Sequence, residues 1–228
     1  MENTNSFWMN AQVFHARSYG KGASSAFTLT ELLVATGILL MLAALFAPAI
    51  TKAKYTAKQI KCISNLKQIH LGFQLYLNDN DGFYPIYYNN ITGRPWCRAF
   101  DKILPITLLP TELNPVFICP LDIIRSNGTS SYGYNFDVFS PSPEILINNN
   151  QLSDPSKKLL LCDNNNIKEN GSIESHYYLV TNRSKNDPWD GDYRIGRRHN
   201  NGANVLYADG HVDWHLRSDI ENSTTMWK

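Results

Sequence analysis

Four groups of residues in this chain have types and spacings that could carry chemistry. Glu31 heads an apolar run in which residues 32–50 include no charged side chain. A carboxylate beside such a run costs on the order of a few kcal/mol toward a bilayer centre and calls for a partner. No basic residue of the run can supply one, so the carboxylate is expected to be unsatisfied within its own chain. Nine residues separate His199 from Asp209-Gly210, and a metal or ligand site is one reading of these residues. Asp187, Asp190 and Asp192 surround Gly191, and several carboxylates on a bent backbone suit Ca²⁺. The cysteines are Cys62, Cys97, Cys119 and Cys162.

Each group also has a plainer structural reading. Asp209-Gly210 makes a hairpin turn, and His199 hydrogen-bonds to fix the approach to the strand. The 187–192 stretch lacks EF-hand spacing and reads equally as a solvated turn. Four cysteines allow several pairings in an oxidising compartment, or remain buried thiols. There is no Gly-x-Ser-x-Gly, no His-Glu-x-x-His and no phosphate loop, so no enzyme is expected. A formal charge of +1 argues against nucleic acid as the main partner.

The elements that must position these residues begin with the apolar run. Nineteen residues at about 1.5 Å each make roughly 28 Å of helix, the thickness of a hydrocarbon core. Residues 1–26 have Arg17, Lys21 and His15 without periodicity and read as a basic leader. Beyond Pro48, apolar residues spaced by three and four (Tyr55, Cys62, Ile63, Leu66, Ile69, Phe73, Tyr76, Leu77) predict that the same helix continues on an amphipathic face. The turn formers of 78–82 stop it.

Downstream, residues 96–104 read as a short helix, and 116–119, 131–134 and 158–162 as strands. Residues 203–214 read as a hairpin closed by a two-residue type I′ turn at Asp209-Gly210. The expected class is α+β: one long N-terminal helix on a small antiparallel sheet with long loops. The divisions are a leader at 1–26, a membrane half at 27–50, an amphipathic half at 51–80, and a globular domain at 81–228. Without leader and span, about 178 residues remain, enough for a core of their own.

Ala26-Phe27-Thr28-Leu29-Thr30-Glu31 followed by a long apolar helix resembles the type IV prepilins and the pseudopilins of type II secretion. Ala26 stands where that family usually has Gly. Cys62-Ile63-Ser64-Asn65-Leu66-Lys67-Gln68, Ile118-Cys119-Pro120 and the His199 to Gly210 motif resemble a bacterial subset of it. The resemblance implies a pilin-like fold and cleavage between Ala26 and Phe27 by a prepilin peptidase, which methylates the Phe27 amine. It implies that Glu31 pairs with that amine on a neighbouring pilin-like subunit, self or paralogue, and that Pro48 bends the helix. It also implies a single pass through the inner membrane, the N-terminus cytoplasmic and the C-terminal domain periplasmic.

Related major pseudopilins hold calcium in their C-terminal domain, which is the second ground for the Asp187, Asp190, Asp192 site. Cys62 on the packing face of the helix and Cys119 at a strand end are the expected disulfide.

Two observations keep other readings open. Lys52, Lys54, Lys58, Lys61 and Lys67 follow the span, and a positive-inside count would put that side in the cytoplasm. Ala47-Pro48-Ala49 has the small-residue spacing that a signal peptidase reads. A plain anchor would leave an exported, membrane-tethered ligand- or metal-binding domain rather than an assembling subunit.

Overall fold

The computed structural model describes residues 27–86, 88–89, 91, 94–101, 103–104, 113–122, 130–140, 145–164, 178–179 and 195–227. The chain divides into two units, Met1–Pro48 and Ala49–Lys228.

Helix α1 (Leu29–Asp79) runs through both. Its part in the first unit is apolar on every face and exposed throughout, and it is long and apolar enough to cross a membrane. Pro48 lies inside α1, where it withholds one backbone hydrogen bond without ending the helix.

In the second unit α1 changes character. Cys62, Leu66, Ile69, Phe73 and Leu77 form a buried stripe, the three-and-four spacing of one helix face. The stripe packs into an aromatic core. Phe73 meets Phe100 edge-on at 4.8 Å and lies 5.8 Å from both Trp96 and Tyr134, while Trp96 meets Phe117 edge-on at 5.6 Å. Such rings contribute their buried area plus about 0.5–1.5 kcal/mol per well-oriented pair. Leu77 O accepts from Gly82 N at 2.7 Å, and Asp81 and Gly82 adopt positive φ, ending the helix at the expected turn.

Strands β1 (Tyr88–Asn89) and β2 (Arg94–Pro95) pair with each other. The main sheet contains β3 (Tyr132–Asn135), β4 (Leu159–Asp163), β5 (Tyr178–Leu179), β6 (Gly202–Tyr207) and β7 (Val212–Leu216), in the order β5-β3-β4-β6-β7. The small sheet is antiparallel as expected except at β5, which runs parallel to β3. A strand that reverses after β4 is antiparallel to β4, and so parallel to a β3 that is itself antiparallel to β4.

Both faces of the sheet are covered. Leu160, Leu161 and Leu206 join the α1 side, whereas Leu159, Cys162, Val205 and Tyr207 face a second cluster closed by Ile195, Ile220 and Trp227. Ile220 comes from α2 (Arg217–Asn222), and Trp227 Nε1 donates to Ile220 O at 2.7 Å. Sequence patterning did not anticipate this C-terminal cover.

Two local expectations are corrected. The strand expected at 116–119 is a 3-10 turn at Pro115–Phe117, because the Asn114 side chain accepts from Val116 N and Pro115 occupies the first position. Val116 and Phe117 are nonetheless buried. The helix expected at 96–104 is a 3-10 helix over Trp96–Phe100.

Candidate functional site: a buried histidine, carboxylate and disulfide

The site is assembled by a tight turn. Asn200 and Asn201 have φ of 52° and 60°, and His199 and Gly202 exchange backbone hydrogen bonds of 3.0 and 3.3 Å. Positive φ at both central residues is the signature of a type I′ turn, and Asn is the side-chain residue that tolerates it best. Gly202 is required for a different reason: a Cβ there would lie 2.4 Å from His215 O and 2.5 Å from the Trp214 ring. That bare backbone lets Trp214 of β7 lie across the turn, with Nε1 donating to His199 O at 2.7 Å. His199 is thereby fixed as it enters the core, where it is fully buried.

Around its ring stand groups from four segments. Asp163, the last residue of β4, places Oδ2 3.2 Å from His199 Nε2. The same oxygen accepts from Asn204 N at 2.8 Å and Asn204 Nδ2 at 3.2 Å, which ties β4 to β6. Cys119 Sγ lies 3.5 Å from His199 Nε2. Cys119 is bonded to Cys62 of α1, with Cα atoms 5.2 Å apart and a sequence separation of 57. Closing a loop of that length stabilises the fold by about 4 kcal/mol on the chain-entropy account. The three ligand atoms of Cys62, Cys119 and His199 lie within 4.8 Å of one another. Sulfurs tied in a disulfide are not thiolate ligands, however, so nothing in this state points to a bound cofactor.

Arg198 balances the charge of the buried carboxylates. Its Nη1 lies 3.7 Å from Asp163 Oδ1 and 3.4 Å from Asp122 Oδ2, and donates to Ser131 O at 3.0 Å, while Nη2 donates to Asn164 O. Asp122 Oδ2 also accepts from Ser131 Oγ at 2.6 Å. Three polar atoms at the centre make no hydrogen bond among the described residues: His199 Nδ1, Asp163 Oδ1 and Asn204 Oδ1. Burying such atoms without a full set of partners is costly, so the centre is held by the fold around it.

The other half of the His199 to Gly210 motif lies at the opposite end of β6. The hairpin registers Leu206 with Val212, and Tyr207 N donates to His211 O at 3.0 Å, leaving the three residues 208–210 in the loop. Only Gly210 of these has positive φ, 96°. The turn is therefore a three-residue loop with a glycine bulge, not the expected type I′ turn at Asp209-Gly210; the type I′ turn is at Asn200-Asn201 instead.

Asp209 Oδ1 accepts from His211 N at 3.1 Å and contacts His211 Nδ1 at 2.5 Å. Burial pushes the Asp209 carboxyl up, but the His211 hydrogen bonds and nearby His70 outweigh it and hold it below the usual range. The two halves have separate partners, so the motif does not converge on one site.

Glu31 is bonded within its own chain. Thr28 N and Thr28 Oγ1 donate to Oε2 at 2.9 and 2.7 Å, and Glu31 N donates back to Thr28 Oγ1 at 3.2 Å. This is a capping box at the start of α1, and it corrects the expectation of an unsatisfied carboxylate. Phe27 is exposed. Ala26 and the expected calcium residues Asp187, Asp190 and Asp192 lie outside the described residues.

Cys97 and Cys162 are free and buried. Burial pushes the Cys97 thiol up to about 12 and the Cys162 thiol well above its ordinary range, which leaves both unreactive.

Sequence reasoning missed Asp163, Asn204, Arg198 and Asp122 as site residues. The strand read over 158–162 stops short of Asp163; the available signal was a charge directly abutting the unbroken apolar run of 159–162.

No protein-family model, no curated protein and no solved structure matches this chain.

Proposed function

We propose that this chain is a structural subunit of a type IV pilus-like or type II secretion pseudopilus-like assembly, processed between Ala26 and Phe27. The observation that carries the reading is the division of labour along α1. One end is an exposed apolar helix that starts two residues after Phe27, and the other is the spine of a folded α+β unit. Subunits of this kind assemble by packing exposed apolar helices side by side.

The capping box refines the role of Glu31. Its carboxylate already has hydrogen bonds from Thr28, so a neighbouring Phe27 amine would offer an opposite charge rather than a first partner.

Two measurements test this. Mass spectrometry of the membrane-extracted protein is expected to find a mature chain beginning with N-methylated Phe27; a start at Ile50 would replace the reading with a signal peptide. Glu31→Gln keeps a capping side chain but removes the charge. It is expected to leave cleavage intact and abolish crosslinkable multimers, whereas Thr28→Val breaks the cap and keeps the charge. Multimers in Glu31→Gln at the wild-type level would eliminate the carboxylate as the assembly contact.

A further inference from the structure

The disulfide, His199 and Asp163 together have the donor chemistry of a metal site with one bond too many. We propose that reduction of the Cys62–Cys119 bridge converts this centre into a Zn²⁺ site with Cys62, Cys119 and His199 as ligands and Asp163 as the fourth donor. The inference does not depend on whether the chain assembles.

Geometry is the first ground. A tetrahedral Zn²⁺ with Zn–S of about 2.3 Å and Zn–N and Zn–O of about 2.1 Å has S···N edges of roughly 3.6 Å and N···O edges of roughly 3.4 Å. His199 Nε2 already lies 3.5 Å from Cys119 Sγ and 3.2 Å from Asp163 Oδ2. Two of the six edges of the tetrahedron are thus in place, and reduction lets the two bonded sulfurs separate.

Donor chemistry is the second ground. Two thiolates with an imidazole select Zn²⁺ over the hard cations Ca²⁺ and Mg²⁺, which take oxygen ligands. All four side chains are fully buried, as structural zinc ligands are. Asn204 holds the Asp163 carboxylate by two hydrogen bonds, the support that outer residues give to a ligating group.

The third ground is that His199 Nδ1 and Asp163 Oδ1 make no hydrogen bond among the described residues. No hydrogen bond at either atom has to be broken when the reduced centre rearranges around a metal.

The reaction balances as thiol–disulfide exchange followed by metal binding. A dithiol reductant attacks one sulfur through its thiolate, forms a mixed disulfide, and leaves as its own cyclic disulfide. It gives two electrons and two protons to Cys62 and Cys119. Zn²⁺ then takes both thiolates and releases those two protons. Reoxidation expels the metal and restores the bridge.

The test uses the full chain in detergent, oxidised or reduced with excess phosphine under argon until the denatured thiol count rises from two to four. Each form is titrated with Co²⁺ and then Zn²⁺. The reduced chain is expected to bind one Co²⁺ with the visible bands and near-ultraviolet thiolate charge transfer of a tetrahedral site, and Zn²⁺ should displace it. Oxidised chain should bind none.

Cys97→Ala with Cys162→Ala should keep the spectrum, Cys119→Ser should lose it, and His199→Asn should weaken binding at least tenfold. Tetrahedral cobalt in the oxidised chain, no binding in the reduced chain, or unchanged affinity in His199→Asn would each overturn the proposal. So would a reduced chain that loses its circular dichroism and does not regain it with Zn²⁺.

Discussion

A histidine–aspartate pair flanks each end of β6, and the two differ in almost everything except their chemistry. His199 and Asp163 are fully buried and 3.2 Å apart. His211 and Asp209 are closer, at 2.5 Å, but 39% and 37% exposed. The shorter contact is the weaker structural element. In water-facing surroundings the attraction is screened and the partners can be solvated singly, so such pairs contribute about 0–1 kcal/mol. In the interior a group that loses its partner has no water to replace it, and breaking a buried pair costs about 3–5 kcal/mol. Burial, set by the fold around each end of the strand, decides which pair matters.

The hardest challenge to this contrast is Asp163→Ala. It removes the acceptor for Asn204 N and Nδ2, the neighbour of His199 Nε2 and one of the two carboxylates beside Arg198. Denaturant unfolding of the full chain in detergent should show a loss of about 3–5 kcal/mol. Asp163→Asn keeps an oxygen for Asn204 and should lose less. An Asp163→Ala chain as stable as wild type would end the argument that the buried pair is structural.

Next in size is Gly210→Ala at the exposed end. A Cβ there adopts a φ near 96° and meets His70 Nε2 at 2.5 Å, so the turn is strained by about 1–3 kcal/mol. Combining it with His70→Ala should recover the part due to the clash and leave the backbone part. Full recovery would mean that the positive φ costs nothing, and that the loop tolerates a side chain.

How legible these two ends were in the sequence follows from the same difference. The long helix, its buried stripe and the strands at β3, β4 and β6 follow from local periodicity, which reports which face is covered. The exposed hairpin end was located by Asp209-Gly210, although the turn type was assigned to the wrong residues. Asn200-Asn201 and Asp209-Gly210 are both turn formers, and only backbone dihedrals distinguish a type I′ turn from a glycine bulge. In the buried centre the Cys62–Cys119 bridge was legible, but Asp122, Asp163, Arg198 and Asn204 were harder to read because each is unremarkable locally. His199 was singled out by spacing to Asp209, yet its partner is Asp163 from another strand. Long-range pairing of that kind leaves no periodic trace.

A smaller effect sharpens the exposed end through pH. Burial lowers the pKa of His70, with Asp209 opposing it. A histidine whose folded pKa is depressed takes up its proton more readily when unfolded. Its neutral burial therefore favours the fold above about pH 6.5, and the advantage is lost as pH falls from there toward the folded pKa. Stability measured from pH 7.5 down to 5 should decline, and His70→Gln should flatten that decline. An unchanged slope in the variant would assign the pH dependence to other groups.

Smallest of all should be Asp209→Asn. The substitution keeps a side-chain oxygen that can accept from His211 N, and so keeps the turn, while deleting the charge that faces His211 and His70. Because the pair is more than a third exposed, the expected loss is under about 1 kcal/mol at neutral pH. Its sign with pH is the same as that of His70, in a more acidic window. The folded Asp209 carboxyl is held below its ordinary range, so its contribution is present above about pH 3.9 and disappears as the carboxylate is protonated. Wild type and Asp209→Asn should therefore converge in stability toward pH 3. Added salt should bring them together at pH 7 as well, since an exposed pair is screened by ions. A loss near that of Asp163→Ala, insensitive to salt, would show that the exposed pair is as structural as the buried one, and the contrast between the two ends of β6 would fail.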